Sequence, residues 1–149
     1  VNKSTARPID LPHSPKESEL HASVAQLLDW ILLPPAIWTT FPAGWGKLGK
    51  ATAGRLYASG LKKGMPDIFV FAPRRVIGIE LKVGANSTSA AQRTMFAQLQ
   101  AVGITVYVCR DASAIVLALE NAGIKHRAIV LATESFQQYG VPHEQREPV

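Results

Sequence analysis

Apolar residues recur at Leu20, Val24, Leu27, Leu28 and Ile31 within SPKESELHASVAQLLDWILL. Steps of three and four put them on one helical face. Ser14 followed by Pro15 supplies a cap and a first-turn proline, so the pattern predicts a helix beginning there. Residues 1–15 hold three prolines and no periodicity, and read as a flexible arm. From Trp38 to Gly64 the chain is glycine-rich and basic, which predicts a loop, a short helix over 51–59, and Gly60 as its stop. Two apolar runs at 67–72 and 76–83 predict strands. NSTSAAQRTMFAQLQAVG predicts a helix ended by Gly103, ITVYVCR a β-branched strand, and DASAIVLALENAG a last helix. Beyond Lys125 come AIVLA and a polar tail, which the pattern leaves unassigned. A hairpin followed by a helical crossover to another strand implies an α/β fold, a mixed β-sheet flanked by helices.

Three charges break the strand pattern. Asp67 opens the first run, and Glu80 and Lys82 stand where hydrophobes would continue the second. An unpaired charge in such a place costs several kcal/mol, so the three need a common explanation. Alternation puts Glu80 and Lys82 on one face and Ile77, Ile79 and Leu81 on the other, while Asp67 shares its face with Phe69 and Phe71. The register of the hairpin decides who meets whom. A two-residue loop of Pro73 and Arg74 sets Asp67 opposite Glu80. It is disfavoured because such loops usually need a positive φ at their first position, which proline cannot adopt. A four-residue loop, 73–76, suits a type I turn and is expected; it sets Asp67 opposite Lys82 with Glu80 diagonal. Both registers gather the three groups at one end of the hairpin, whereas a three-residue loop without a bulge separates them. Two facing carboxylates suit a hard divalent cation such as Mg²⁺, with a lysine beside it to orient water or meet developing charge. The competing reading is a structural ion pair at a strand end.

Composition narrows the setting. At 149 residues with 47% apolar and 18% charged positions, the chain can bury the core of a single globular domain. No apolar run approaches the length of a membrane span, since WILLPPAIW is cut by Pro34 and Pro35, and no secretory signal is visible. Cys109 is the lone cysteine and lies in an apolar run, so it reads as a small buried hydrophobe in a reducing compartment. The net charge is +5, and the pI is about 9.6. Up to Pro66 there are eight Lys/Arg against four Asp/Glu; from Asp67 onward the count is eight against seven. Lys47, Lys50, Arg55, Lys62 and Lys63 follow one another with no acid between residues 31 and 66. That run suggests a polyanion partner, bound through phosphates that glycine-flanked backbone can approach. Trp45 and Tyr57 lie among these cations and are able to stack on bases, although core packing is their expected use.

These residues are similar to the PD-(D/E)XK signature of restriction-endonuclease-like nucleases, an acid opening one strand and E-x-K ending the next after 12 residues. More narrowly, the chain resembles the virus-type replication-repair nuclease (VRR-NUC) family across residues 16–124. The resemblance runs through ESELH, GKATAGRLYASGLKKGMPDI, GIELK, TSAAQRTMFAQLQAVGITVYVCRD and ALENAGI. It implies a restriction-endonuclease-like (PD-(D/E)XK) core and Mg²⁺- or Mn²⁺-dependent phosphodiester hydrolysis. Asp67, Glu80, the Leu81 carbonyl and a first-helix glutamate would hold the metal, and Lys82 would be the catalytic lysine. Glu17 fits that first-helix position and Glu19 is its competitor, on a different face. His21 stands where the family usually has an amide or acid, and either supports the site or is a surface histidine. Gln92 matches a family glutamine that positions substrate or Lys82, yet Ser89-Ala-Ala-Gln92 is also a capping-box spacing. Within FPAGWGK, Ala43 and Trp45 occupy a stretch where related chains carry an asparagine. The resemblance further implies a homodimer acting on branched DNA, such as a four-way (Holliday) junction, in a bacterial or viral host cytoplasm. The domain would then span 16–125, between the arm at 1–15 and a C-terminal extension at 126–149. A restriction-type or single-strand nuclease, or a non-catalytic nucleic-acid-binding module, are the alternatives.

Overall fold

The computed structural model describes residues 15–41 and 50–128. The cap Ser14, most of the N-terminal arm, Ala43, Trp45, Lys47, and the tail from residue 129 lie outside the described residues. The order is α1 (Pro15–Ile31), β1 (Ile37–Thr40), α2 (Lys50–Ala58), β2 (Ile68–Ala72), β3 (Arg75–Leu81), α3 (Ala90–Ala101), β4 (Thr105–Cys109) and α4 (Ala112–Asn121). Among the described residues no helix is long and apolar enough to cross a membrane.

The strands form one mixed sheet in the order β1-β2-β3-β4. The first three are mutually antiparallel, and β4 runs parallel to β3 after the α3 crossover. One face carries Ile68, Val70, Ile77, Ile79 and Leu81. It packs against Val24, Leu28 and Ile31 of α1 and Ile115, Val116 and Leu119 of α4, which together form the core. Each such side chain contributes about 1.5–3 kcal/mol by leaving water. Cys109 joins this core, and burial pushes its thiol up to about 11, so it behaves as the inert hydrophobe expected. Asp111 caps α4 by accepting the Ala114 N–H at 2.8 Å. The other face carries Glu80 and receives α3, whose Gln92 bonds to it.

Two expectations are corrected. The segment read as loop from Trp38 contains β1, whose residues Ile37 to Thr40 pair with Phe71 to Ile68 of β2. Four residues carry too short an alternation to stand out; the partner strand makes them a strand. The hairpin uses the two-residue loop, with Ala72 opposite Arg75, rather than the four-residue one. The proline objection holds only for turns with positive φ at the first loop position. Here the left-handed residue is the second, Arg74 at φ 64°, so Pro73 keeps its ring-fixed φ, in the manner of a type II turn. With Ile68 opposite Ile79, the next position out sets Asp67 against Glu80 instead of Lys82.

Candidate carboxylate site at the hairpin mouth

The GMPD sequence has a steric logic. Gly64 adopts φ 81° and passes against the first turn of α3, where an added Cβ would stand 2.6 Å from the Ala91 carbonyl carbon and 2.8 Å from the Gln92 nitrogen. Pro66 is fully buried and lies over Gly78 of β3; a Cβ on Gly78 would meet its ring at 2.8 Å. Two glycines therefore let the incoming chain lie close to α3 and β3, and Asp67 emerges beside Glu80. The Asp67 backbone carbonyl accepts the Phe41 N–H at 2.7 Å, and its side-chain Oδ2 accepts the Leu81 N–H at 2.8 Å. That second bond ties the carboxylate across the hairpin.

Glu80 is only 2% exposed. Its Oε1 meets Lys82 Nζ at 2.7 Å and accepts from Gln92 Nε2. Gln92 Oε1 in turn accepts from Lys82 Nζ at 3.2 Å and from the Ser89 N–H at 2.9 Å, while Ser89 Oγ accepts the Gln92 N–H at 3.2 Å. The two readings of Gln92 thus coexist. One amide closes the capping box of α3 and bridges Glu80 to Lys82, because each end of the amide has its own partners.

Burial raises the pKa of both acids. For Glu80, loss of hydration is the main cause and the facing Asp67 charge adds to it, against Lys82 and Gln92. For Asp67, desolvation again leads, opposed by the Leu81 N–H, His21 and Lys82 and reinforced by Glu17. Glu17 and His21 of α1 therefore lie within electrostatic reach of Asp67, and both are half-buried, whereas Glu19 is exposed. The fold brings together Asp67, Glu80, Lys82 and Gln92, with Glu17 and His21 at the margin. Among the described residues no three acid, histidine or cysteine side chains converge closely enough to chelate a metal as placed.

The donor set nevertheless fits a hard divalent cation in one respect. Glu80 Oε2 is buried without a hydrogen-bond partner. An uncompensated carboxylate oxygen is costly, and the single positive charge of Lys82 leaves the Asp67–Glu80 pair net negative. A cation between the two carboxylates would offset both deficits. The Leu81 carbonyl expected as a third contact belongs to the residue whose N–H already anchors Asp67.

Four of the five basic residues of the glycine-rich segment fall within the described residues. Lys50 and Arg55 project from α2, which buries none of its residues, and Lys62 and Lys63 follow in the connection to Gly64. Tyr57 is exposed rather than in the core, and Lys63 Nζ sits over its ring at 5.5 Å. Gly64 belongs to the G-x-P-D run that carries the family resemblance, whereas Gly78 has only one signal in the sequence, a glycine within a strand. Comparison with known proteins finds no family model, no curated protein and no solved structure that matches this chain.

Proposed function

We propose that this chain is a divalent-metal-dependent, structure-selective DNA endonuclease with a restriction-endonuclease-like (PD-(D/E)XK) core, a homodimer that resolves four-way junctions. The observation that carries the reading is the meeting of Asp67 and Glu80 across a hairpin mouth, with Lys82 bound to Glu80 and the Glu80 Oε2 atom left unpartnered. A buried carboxylate serving only a structural ion pair would usually have both oxygens hydrogen-bonded. The resemblance to VRR-NUC nucleases supplies the substrate and the dimer, and the cations of α2 and its following connection are where a phosphate backbone would run.

In this mechanism Asp67, Glu80, the Leu81 carbonyl and Glu17 would hold Mg²⁺ or Mn²⁺. The bound ion would lower the pKa of a water and offset charge on the phosphorane-like transition state. Gln92 keeps the Lys82 ammonium beside Glu80, and Lys82 orients the water or meets the developing negative charge. Lys50, Arg55, Lys62 and Lys63, with Lys47, position the sugar–phosphate backbone without reading bases.

The test offers four-way junction, flap, single-stranded and linear duplex DNA with Mg²⁺ or with EDTA. Cleavage in Mg²⁺ that favours the junction is expected, and Glu80→Ala or Lys82→Ala should abolish it while the folded chain still binds DNA. Unchanged cutting by either variant rejects the site. Equal cutting of linear duplex removes the junction preference. Binding with no cutting of any substrate assigns the chain to the non-catalytic module class.

A further inference from the structure

The opposite end of the sheet holds a second cationic feature that the nuclease reading does not use. At the β2–β3 turn, Arg74 occupies the left-handed position and Arg75 follows it, both exposed. The Arg75 guanidinium donates to the Ala122 carbonyl at the end of α4 and packs where Gly123, at φ 64°, has no side chain. This contact draws the segment after α4 onto the turn. Between them lies a cleft of about 330 Å³ whose walls include Pro34, Pro35, Ala72 and Pro73 and whose cations are Arg75 and Lys125. Arg127 continues the charge two residues on, where its N–H bonds the Ile31 carbonyl at 2.7 Å. Among the described residues, none of the Arg74, Lys125 and Arg127 side chains pairs with an acid.

We propose that this turn-end surface is a second phosphate-binding site, which holds another arm of a branched DNA while the first arm lies at the carboxylates. The proposal rests on the nuclease reading for its choice of polyanion. Its own basis is that two segments each bring a cation to one cleft, Arg75 from the turn and Lys125 from beyond α4, with exposed Arg74 and Arg127 close by in the chain, a pattern suited to a chain of phosphates rather than to a single ion pair. The separation matters too. Arg75 opens β3 and Leu81 ends it, so at about 3.3 Å per residue the two surfaces stand roughly 20 Å apart at opposite ends of the sheet. On this proposal a linear duplex is held at the carboxylates alone. A branched molecule can seat one arm on each, and only its affinity depends on both.

Full-length Glu80→Ala protein, which should bind without cutting, is titrated with a four-way junction and with a short linear duplex over a range of salt. Adding Arg74→Ala and Lys125→Ala is expected to weaken junction binding by about tenfold. It should also flatten the log–log salt slope by nearly one for each phosphate no longer neutralised, while linear-duplex affinity stays within about twofold. Arg75 is left in place because its bond to Ala122 ties the turn to α4. Lys125→Glu and Lys125→Arg serve as single exposed variants, the first expected to lose junction affinity and the second to retain it. Unchanged junction binding, or an equal loss on both substrates, overturns the proposal. So does competition by polyglutamate as strong as by DNA, which would assign the surface to an acidic protein. Cleavage by the wild-type chain is scored separately. Failure to cut with intact junction binding refutes the nuclease reading and leaves this surface standing.

Discussion

Glu80 is the residue on which stability and the proposed chemistry both turn. Its folded-state pKa lies above the usual 4.5, chiefly through burial and then through Asp67. Below pH 4.5 the side chain is neutral in folded and unfolded chains alike, and it costs nothing on this account. As pH rises, the unfolded chain ionises first while the folded chain retains its proton, so stability falls until the folded pKa is passed and then levels off. Glu80→Gln should therefore melt above wild type at pH 8, with the gap closing as pH falls towards 4. A gap independent of pH would show that the carboxylate is not penalised. Gln92 allows a second separation. Ser89→Ala removes the cap and should cost about 1 kcal/mol with little effect on cleavage; Gln92→Ala costs a similar amount but also frees Lys82 and Glu80. Cleavage rates that fall equally in the two variants would reduce Gln92 to a capping residue.

At the scale of elements, the site exists because close contacts fix where β2 begins. The Gly64 conformation and its approach to α3 allow no side chain. Gly64→Ala should destabilise the fold by more than about 2 kcal/mol in chemical denaturation, whereas Ala at the open Gly54 on α2 should be neutral or slightly favourable. Equal midpoints for the two variants would contradict the packing described. The hairpin teaches the same lesson about legibility. Its existence, its two strands and the convergence of Asp67, Glu80 and Lys82 were readable, because period-two alternation and a Pro-Arg-Arg turn are local signals. The register was not, because Pro73 permits more than one turn and only the pairing of Ile68 with Ile79 selects among them. β1 was hidden for a related reason, since IWTT becomes a strand only through the hydrogen bonds that Phe71 to Ile68 provide.

Over the whole molecule, the buried and unmet Glu80 oxygen gives the proposed metal binding a readout that needs no substrate. A ligand that binds only the folded state stabilises it by about 2.7 kcal/mol at one hundred times its dissociation constant. Mn²⁺ or Mg²⁺ should thus raise the melting temperature of the wild-type chain at pH 8 and leave Glu80→Gln unmoved; a rise of the same size in both would place the ion elsewhere. The sequence by itself determined the α/β class, the core face of α1, the basic run and the three ionisable residues of the candidate site. Each of these is written in residue type and spacing, which local geometry converts directly into faces. Only the tertiary structure decided that Asp67 faces Glu80, that Gln92 serves cap and pocket together, that Glu17 and His21 rather than Glu19 approach Asp67, and that Arg75 and Lys125 share a cleft. Those facts depend on distances between segments far apart in the chain, and such distances are set by how side chains pack rather than by any pattern along one segment.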